Sequence, residues 1–205
     1  KSAIKVEKKR RALSVPECRA LLEAAPPERR IVYLFLIYTG LRRGEAAGLC
    51  WHHVRLDVMN PFVEVPATLA KSGHRETVPL TSEVATALRE HRGNPRPGDR
   101  VFDGIPDMPT FREDLAAAQI EEIDSRGRAV VLHSLRHSLA TMLAAANVPM
   151  AVAQRIMRHR DIRLTAEVYC DEGLLPMTAA IASLPTMGVA TASDAHSEER
   201  AAQAS

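Results

Sequence analysis

The segment His133-Ser134-Leu135-Arg136-His137 places two histidines and an arginine within five consecutive residues. On a helix, His133, Arg136 and His137 stand at positions i, i+3 and i+4 and share one face. An arginine suits a phosphate group because its planar guanidinium stays charged and donates two hydrogen bonds at once. A histidine beside it can transfer protons. Taken alone, the segment is more typical of a basic surface helix, so its meaning depends on the rest of the chain.

A zinc site is another interpretation of His133 and His137. The zinc protease pattern requires a glutamate directly after the first histidine, and Ser134 stands there. No cluster of cysteines or carboxylates nearby offers a third ligand. The three cysteines are far apart and form no CxxC pair, which also argues against a disulfide framework. We therefore predict that the protein uses no metal and no cofactor.

Length and charge set the broad class of the protein. The 205 residues suffice for one domain with a sizeable core, and aromatic residues make up only 4% of them. The net charge is +2, but residues 1–13 contain six basic residues and one acidic residue. Such an arm is compatible with contacts to a phosphate backbone, and equally with a solvated terminal segment. No segment is long and apolar enough to span a membrane, and no signal peptide is visible.

The spacing of apolar residues predicts a mainly α fold with a small antiparallel β-hairpin or sheet. Ser14 and Glu17 form a capping-box pattern at the start of the first helix. The second helix is apolar nearly all round, which is typical of a central buried helix. The predicted helices cover about residues 15–25, 28–39, 43–50, 83–91, 110–123, 133–146, 150–157, 164–170 and 174–184.

Two short alternating segments predict β-strands over residues 62–65 and 76–80. Lys71-Ser72-Gly73-His74 lies between them and is typical of the connecting turn. Residues 93–107 are rich in glycine and proline and predict a loop. Residues 186–205 are small, polar and without a pattern, so we expect a disordered tail.

Further candidate groups lie far from the opening segment. Arg42 follows a helix stop at Gly40, and Glu45 stands three residues later, where it can orient Arg42 through an ion pair. Lys71 in its turn can reach a ligand as a mobile cation, although a lysine in an exposed turn usually has no such role. Each of these residues gains weight only in combination with the others.

The chain has three tyrosines, and their surroundings differ. Tyr33 and Tyr38 stand in the apolar helix before Gly40, which is typical of core residues. Tyr169 follows a polar, basic segment and lies ten residues after His159. An isolated helical tyrosine is usually a packed aromatic residue. If a phenol of this chain is a nucleophile, Tyr169 is the best candidate.

Taken in order, these segments resemble the catalytic domain of the tyrosine recombinases, the phage-integrase and Xer-like family. The resemblance covers about residues 10–185 and rests on matches to five short motifs. Those motifs are Thr39-Gly40-Leu41-Arg42-x-x-Glu45 for the first box, residues 70–80 for the lysine hairpin, His133-x-x-Arg136-His137 for the second box, Arg158-His159 for the usual Gly-His, and Tyr169 for the nucleophile.

The resemblance implies a tyrosine recombinase catalytic-domain fold and a role for each matched residue. Tyr169 would attack the scissile phosphate and form a 3′-phosphotyrosyl bond. The remaining catalytic roles would fall on Arg42 and Arg136 as stabilisers of the transition state, Lys71 as the acid for the 5′-oxygen, His133 as acid/base and His159 as a hydrogen-bond donor. Glu45 and His137 would support this set.

The resemblance also implies double-stranded DNA as the partner, a homo-tetramer on DNA during synapsis, and a cytoplasmic, nucleoid-associated location away from membranes. We expect a basic arm over residues 1–12, a catalytic domain over 13–185 and the tail over 186–205. The expected DNA-contacting residues are Lys8, Lys9, Arg10, Arg11, Arg43 and Arg75.

The chain departs from the family pattern in two respects. Arg158 replaces the usual glycine, so its side chain must either point outward or be accommodated inside. Family members usually also carry an N-terminal core-binding domain that clamps DNA, whereas this chain begins at what resembles the linker into the catalytic half. We therefore expect either a fragment or an unusually short relative.

Two alternative functions compete with recombination. A type IB topoisomerase uses a similar set of arginine, lysine, histidine and tyrosine, although the histidine box and the small size favour the recombinase. A non-catalytic DNA-binding module is the second alternative, because the helices flanking Asn147-Val148-Pro149 can pass for a helix-turn-helix. That interpretation leaves the ordered set of candidate catalytic residues unexplained.

Overall fold

Helices dominate the computed structural model, which describes residues 10–169, and one small sheet interrupts them. The helices are α1 (Val15–Ala24), α2 (Pro27–Thr39), α3 (Arg43–Gly48), α4 (Ser82–Arg92), α5 (Met108–Ala117), α6 (Ser134–Ala145), α7 (Met150–Met157) and α8 (Arg163–Tyr169). The strands are β1 (Val54–Arg55), β2 (Phe62–Val65) and β3 (Glu76–Pro79). The prediction of a mainly α fold with a small antiparallel sheet is confirmed.

Helix α2 lies at the centre of the core and packs against α1, α4 and α6. Its residues from Ile31 to Ile37 are all buried, as their apolar character predicts. Gly40 ends the helix in the left-handed region, with φ 59° and ψ 20°, and its N–H donates to the carbonyl of Leu36 at 3.0 Å. A glycine tolerates this conformation because it has no Cβ.

Gly40 also permits a close approach between the end of α2 and α6. A Cβ atom at this position would lie 2.9 Å from Cδ2 of Leu139, which is closer than a normal contact. The end of α2 is therefore fixed against α6 both by backbone conformation and by packing. This contact also limits where the backbone can place Arg42, two residues after Gly40.

Capping residues set the starts of α1 and α4, and the predicted capping box at α1 is present. Ser14 Oγ accepts from the N–H of Glu17 at 3.3 Å, and the Glu17 carboxylate accepts from the N–H of Ser14 at 2.8 Å. Thr81 caps α4 by accepting from the N–H of Val84 at 3.3 Å. These caps satisfy N–H groups that have no partner within the helix.

The sheet has the order β1-β2-β3 and is antiparallel throughout. Val63 pairs with Val78 across β2 and β3, and both side chains are buried. Glu64 and Thr77 pair beside them and face away from the core. The two predicted strands are confirmed, whereas β1 has only two residues and is too short to give an alternating pattern.

Helix α5 differs at both ends from the predicted helix over 110–123. Asp107 caps it by accepting from the N–H of Thr110 at 3.0 Å, so the helix begins at Met108. It ends at Ala117 because Gln119 adopts a positive φ of 58° and reverses the chain. Helix α3 likewise ends at Gly48 and not near residue 50.

Several predictions fall outside the described residues. They are the basic arm up to residue 9, the end of the predicted helix at residue 170, the predicted helix over 174–184 and the predicted tail over 186–205. Within residues 10–169, no helix is long and apolar enough to cross a bilayer.

Two buried aromatic residues lie in defined surroundings. The hydroxyl of Tyr33 donates to the Asp114 carboxylate at 2.5 Å, and burial followed by this hydrogen bond raises the pKa of Tyr33. The indole of Trp51, the single tryptophan, lies 6.1 Å from the His91 ring, measured between ring centroids. The guanidinium carbon of Arg92 lies 6.0 Å from the centroid of the Trp51 ring. The prediction that Tyr33 is a core residue is confirmed.

We predict that Gly40→Ala destabilises the protein more than Gly127→Ala. Both glycines have a positive φ, but a Cβ at Gly127 meets nothing within 4 Å. The control substitution should therefore lower the free energy of unfolding by about 1 kcal/mol through backbone strain alone. Gly40→Ala should add a clash and cost about 2–4 kcal/mol in total. Urea denaturation measures both values, and equal losses would contradict the close approach to α6.

Candidate active site

Arg42 stands between the end of α2 and the start of α3, where the chain turns. Its Nη1 donates to Oε1 of Glu45 at 3.0 Å, and its backbone N–H donates to Oε2 at 2.9 Å. The Arg42 side chain keeps 30% of its surface exposed, whereas Glu45 keeps only 3%. The ion pair expected between these residues is present, and it orients a guanidinium that solvent or a ligand can still reach.

Glu45 is a buried carboxylate with several donors. Burial raises its pKa, but the hydrogen bonds from the Arg42 N–H and from Arg158 outweigh this effect, so the pKa lies below its usual value. Glu45 is therefore charged at neutral pH and provides a buried counter-charge for arginines.

Arg136 of α6 is buried, with 4% of its surface exposed. Its guanidinium donates through Nη1 to the carbonyl of Gly40 and through Nη2 to the carbonyl of Met157. These carbonyls stand at the C-terminal ends of α2 and α7, where the helix dipole favours a cation. Burial and the charges of Arg42 and Arg158 lower the pKa of Arg136 to about 9, so it stays protonated at pH 7.

His133 directly precedes α6, and its ring lies 5.1 Å from the ring of His137 at 84°. Part of His133 is exposed to solvent. Desolvation and the nearby groups His137, Arg136, Arg10 and Arg42 lower the pKa of His133 to about 4. The imidazole is therefore neutral at pH 7 and able to accept a proton.

His159 follows α7 and is held at both its backbone and its ring. Its N–H donates to the carbonyl of Gln154 at 3.1 Å, and Nδ1 lies 3.0 Å from Oγ1 of Thr165. This contact occupies Nδ1 and leaves Nε2 for another partner. Burial, then Arg136 and Arg42, lower the pKa of His159 to about 4.

The two lowered histidine pKa values have common causes. Arg42 and Arg136 repel a proton on His133 and on His159 alike. Hydrogen bonds also join the segments that carry these residues. Arg136 donates to the carbonyls of Gly40 and Met157, which stand two residues before Arg42 and two residues before His159. The structure therefore brings together the segments that carry these four side chains.

Lys71 and Tyr169 stand in the turn between β2 and β3 and at the end of α8. Lys71 is exposed in the turn between β2 and β3. That turn is tied to the segment after α7, because Nη2 of Arg160 donates to the carbonyl of Ser72. Tyr169 is the last residue of α8, which packs on α6 and α7, and its side chain lies outside the described part of the molecule.

Arg158 is accommodated inside the protein and does not point outward. Its backbone is left-handed, with φ 53° and ψ 43°, and its side chain keeps only 5% of its surface exposed. Nη2 donates to Glu45 at 2.7 Å, and Nη1 donates to Glu76 at 2.8 Å. The sequence analysis did not identify Glu76 as part of this site. It could have been inferred only from the fact that a buried arginine requires a carboxylate partner.

The predicted DNA-contacting residues lie in different surroundings. Arg10 is exposed, whereas Arg11 has 11% of its side chain exposed and pairs with Glu17 at 2.8 Å. Arg43 is exposed and donates to the carbonyl of Ile105 at 3.3 Å. Arg75 pairs with Glu64 at 3.5 Å. Lys8 and Lys9 lie outside the described residues.

Comparison with known proteins decides the family. The sequence profile of the phage integrase family matches residues 11–173. The chain belongs to the phage integrase family.

In residues 10–169, no group of three histidine, cysteine or carboxylate side chains is arranged to hold a metal ion.

Similar proteins within the family include named tyrosine recombinases. The tyrosine recombinase XerC-like protein of Caldanaerobacter subterraneus is 24% identical over 200 residues, which cover 80% of this chain and 51% of that protein. Tyrosine recombinase XerC of Xylella fastidiosa is 29% identical over 146 residues, covering 69% of this chain and 47% of the relative. The chain thus spans about half the length of the curated relatives it matches.

Solved structures share the fold. A crystal structure of XerA recombinase superimposes with a TM-score of 0.67 at 21% identity, covering 87% of this chain and 65% of that one. The catalytic domain of bacteriophage HP1 integrase gives a TM-score of 0.61 at 20% identity, covering 89% of this chain and 100% of that domain. The predicted tyrosine recombinase catalytic-domain fold is confirmed.

We predict that the free energy of unfolding falls as pH drops from 7 to 5. The pKa values of His133 and His159 are about 4 in the folded protein and 6.5 without the fold, so the unfolded chain binds more protons in this range. His159→Gln should reduce the loss by about 1 kcal/mol, a value that allows for solvent screening. Urea denaturation at both pH values measures the effect.

His52→Gln is the matched control, because His52 is exposed and lies outside the cluster, beside the carbonyl of Pro97. This variant measures the effect of removing an exposed histidine that is not among the four residues of the site. If His159→Gln and His52→Gln show the same pH dependence, His159 does not have a lowered pKa.

Proposed function

We propose that this chain is the catalytic part of a site-specific DNA recombinase that cleaves and rejoins strands through a 3′-phosphotyrosyl intermediate. The observation that carries the proposal is that Arg136 of α6, the helix that His133 directly precedes, is hydrogen-bonded to the segments of Arg42 and His159 through the carbonyls of Gly40 and Met157. These residues match the family's boxes in order, and Tyr169 closes a helix that packs on α6 and α7. We propose residues 13–185 as the catalytic domain.

The two arginines supply the electrostatic part of the reaction. A phosphodiester gains negative charge on its non-bridging oxygens as a fifth ligand approaches phosphorus. Arg42 is oriented by Glu45 and partly exposed, so it can donate to one such oxygen. Arg136 gives two of its five N–H groups to carbonyls, and the others are its proposed donors to the phosphate. Charges fixed before the reaction stabilise its transition state most effectively.

The proposed cleavage step exchanges one phosphodiester bond for another. Oη of Tyr169 attacks phosphorus, the bond from phosphorus to the 5′-oxygen breaks, and the DNA 3′ end stays attached to the tyrosine. The phenol proton passes to a base, and the 5′-oxygen takes a proton from an acid. Attack by a 5′-hydroxyl from a partner strand reverses these changes and rejoins the DNA without consuming ATP.

The histidines have the protonation state that a base needs. Both are neutral at pH 7 because their pKa values are near 4, so His133 can accept the phenol proton. His159 keeps Nε2 available while Nδ1 contacts Thr165, which suits a hydrogen bond to a phosphate oxygen. A bound phosphate offsets the repulsion from the arginines and raises both histidine pKa values.

Lys71 fits the role of acid for the leaving 5′-oxygen. It is exposed on the turn between β2 and β3, and its flexible side chain can reach a bound strand. Arg160 ties the neighbouring Ser72 to the segment after α7, so the turn and His159 share a connection. The proposed acid therefore lies on an exposed turn that is joined to the rest of the site.

Double-stranded DNA is the proposed partner, with a homo-tetramer at synapsis and a nucleoid-associated location in the cytoplasm. Among the structures that share this fold, XerH recombinase is bound to its difH substrate and the Tn1549 integrase is in complex with transposon end DNA. The proposed DNA-contacting residues are Lys8, Lys9, Arg10, Arg11, Arg43 and Arg75. Arg10 and Arg43 line a cavity together with His133 and Arg136, which supports the proposal for these two residues.

We predict that the native chain forms a covalent adduct with nicked DNA and that Tyr169→Phe does not. The probe is a pool of duplexes with randomised sequence, each carrying a nick that releases a short strand after cleavage and so prevents rejoining. Adducts that survive denaturing detergent are recovered and sequenced, which also identifies the target site. Tyr38→Phe is the control, because Tyr38 is partly buried in α2 beside Glu83.

An adduct that persists in Tyr169→Phe would show that another residue is the nucleophile. An adduct yield from the native chain no higher than from Tyr169→Phe would contradict cleavage by this chain. Relaxation of supercoiled plasmid without strand exchange between two recovered sites would identify topoisomerase activity instead.

A further inference from the structure

Arg158 joins three segments that belong to the site. It lies in the connection after α7, next to His159. One of its terminal nitrogens donates to Glu45 of α3 and the other donates to Glu76 of β3. The two acceptors are far apart in sequence, so a single side chain bridges the first arginine box and the lysine hairpin.

The bridge through Glu45 reaches Arg42. Oε2 of Glu45 accepts both from Arg158 at 2.7 Å and from the Arg42 N–H at 2.9 Å, while Oε1 accepts from the Arg42 side chain at 3.0 Å. Arg158 therefore neutralises part of the charge on Glu45. Without Arg158, Glu45 would hold the Arg42 guanidinium more tightly and leave less of its charge for a ligand.

The bridge through Glu76 reaches the turn that carries Lys71. Glu76 begins β3, and Arg158 binds its carboxylate at 2.8 Å. Two residues further along the chain, Arg160 donates to the carbonyl of Ser72 within the same turn. The connection after α7 thus holds the hairpin at two points, one in the strand and one in the turn.

The conformation of Arg158 shows that this arrangement is maintained against a cost. A left-handed backbone is unfavourable for an L-residue with a side chain, and Nε of Arg158 is buried with no hydrogen-bond partner in the described part of the chain. A glycine would avoid both costs. The two short ion pairs to Glu45 and Glu76 are what the arginine provides in return.

We propose that Arg158 is a positioning residue that holds Arg42 and the Lys71 turn in one arrangement by binding Glu45 and Glu76 together. The inference rests on the proposed function, since Arg42 and Lys71 act on DNA only if the chain cleaves it. The arrangement itself exists without DNA, so it can be tested separately from cleavage.

The kinetic test compares Arg158→Met with the native chain on the nicked duplex recovered above. We expect the single-turnover cleavage rate at saturating DNA to fall roughly a hundredfold, with DNA affinity changed by less than about threefold, because misplacement affects the transition state most. Arg158→Lys should restore part of the rate, since it keeps one of the two ion pairs. A native rate in Arg158→Met would overturn the proposal.

A double-mutant cycle separates positioning from a general loss of packing. Glu76→Gln should also slow cleavage, and Arg158→Met combined with Glu76→Gln should be little slower than Arg158→Met alone. Losses that multiply would show that Arg158 and Glu76 act independently. Arg112→Met is the control, because Arg112 of α5 forms only an exposed ion pair with Glu122, so its loss should leave the rate unchanged.

Hydrogen exchange tests the tether whether or not the chain cleaves DNA. In Arg158→Met, the amides of Gly73 and His74 in the turn should exchange faster than in the native chain, while Arg112→Met should not affect them. Unchanged exchange in Arg158→Met would overturn the tether. Failure of the native chain to cleave DNA, with faster exchange in Arg158→Met, would count against the proposed function and not against the tether.

Discussion

Crowded positive charge is the constraint around which this site is organised. Arg42, Arg136 and Arg158 lie near enough to one another that two of them lower the pKa of the third. Such a group is stable only with anions inside it, and Glu45, buried and charged, supplies one. Glu76 supplies another from the sheet. Ion pairs with these carboxylates join α3, β3 and the segment after α7.

Helix ends contribute to the same balance. The carbonyls that accept from Arg136 belong to Gly40 and Met157, at the C-terminal ends of α2 and α7. Aligned peptide dipoles give such carbonyls extra negative character. A guanidinium can therefore be buried here without a carboxylate of its own, and it keeps N–H groups for a ligand that a direct ion pair would occupy. The close packing of α2 on α6 at Gly40 maintains this geometry.

Local signals explain what the sequence could predict. The caps at Ser14 and Thr81, the apolar α2 and the order of the motifs all depend on residues close together in the chain. The bounds of α5 were predicted wrongly because the reversal at Gln119 uses a backbone conformation that glutamine rarely adopts. The burial of Arg158 depends on Glu76, 82 residues away, and no spacing rule connects them. The roles of Lys71 and Tyr169 rest on resemblance.

The surroundings of Trp51 give the protein an optical property of its own. The chain has one tryptophan, so indole fluorescence reports a single location. That location is the side of α4, where the neighbours are His91 and Arg92 and the indole is buried. Its emission should therefore change when α4 separates from the segment that carries Trp51, just before β1. Unfolding can therefore be followed by tryptophan fluorescence, and the indole that reports it is not in contact with Arg42, Arg136 or Arg158 in the described interactions.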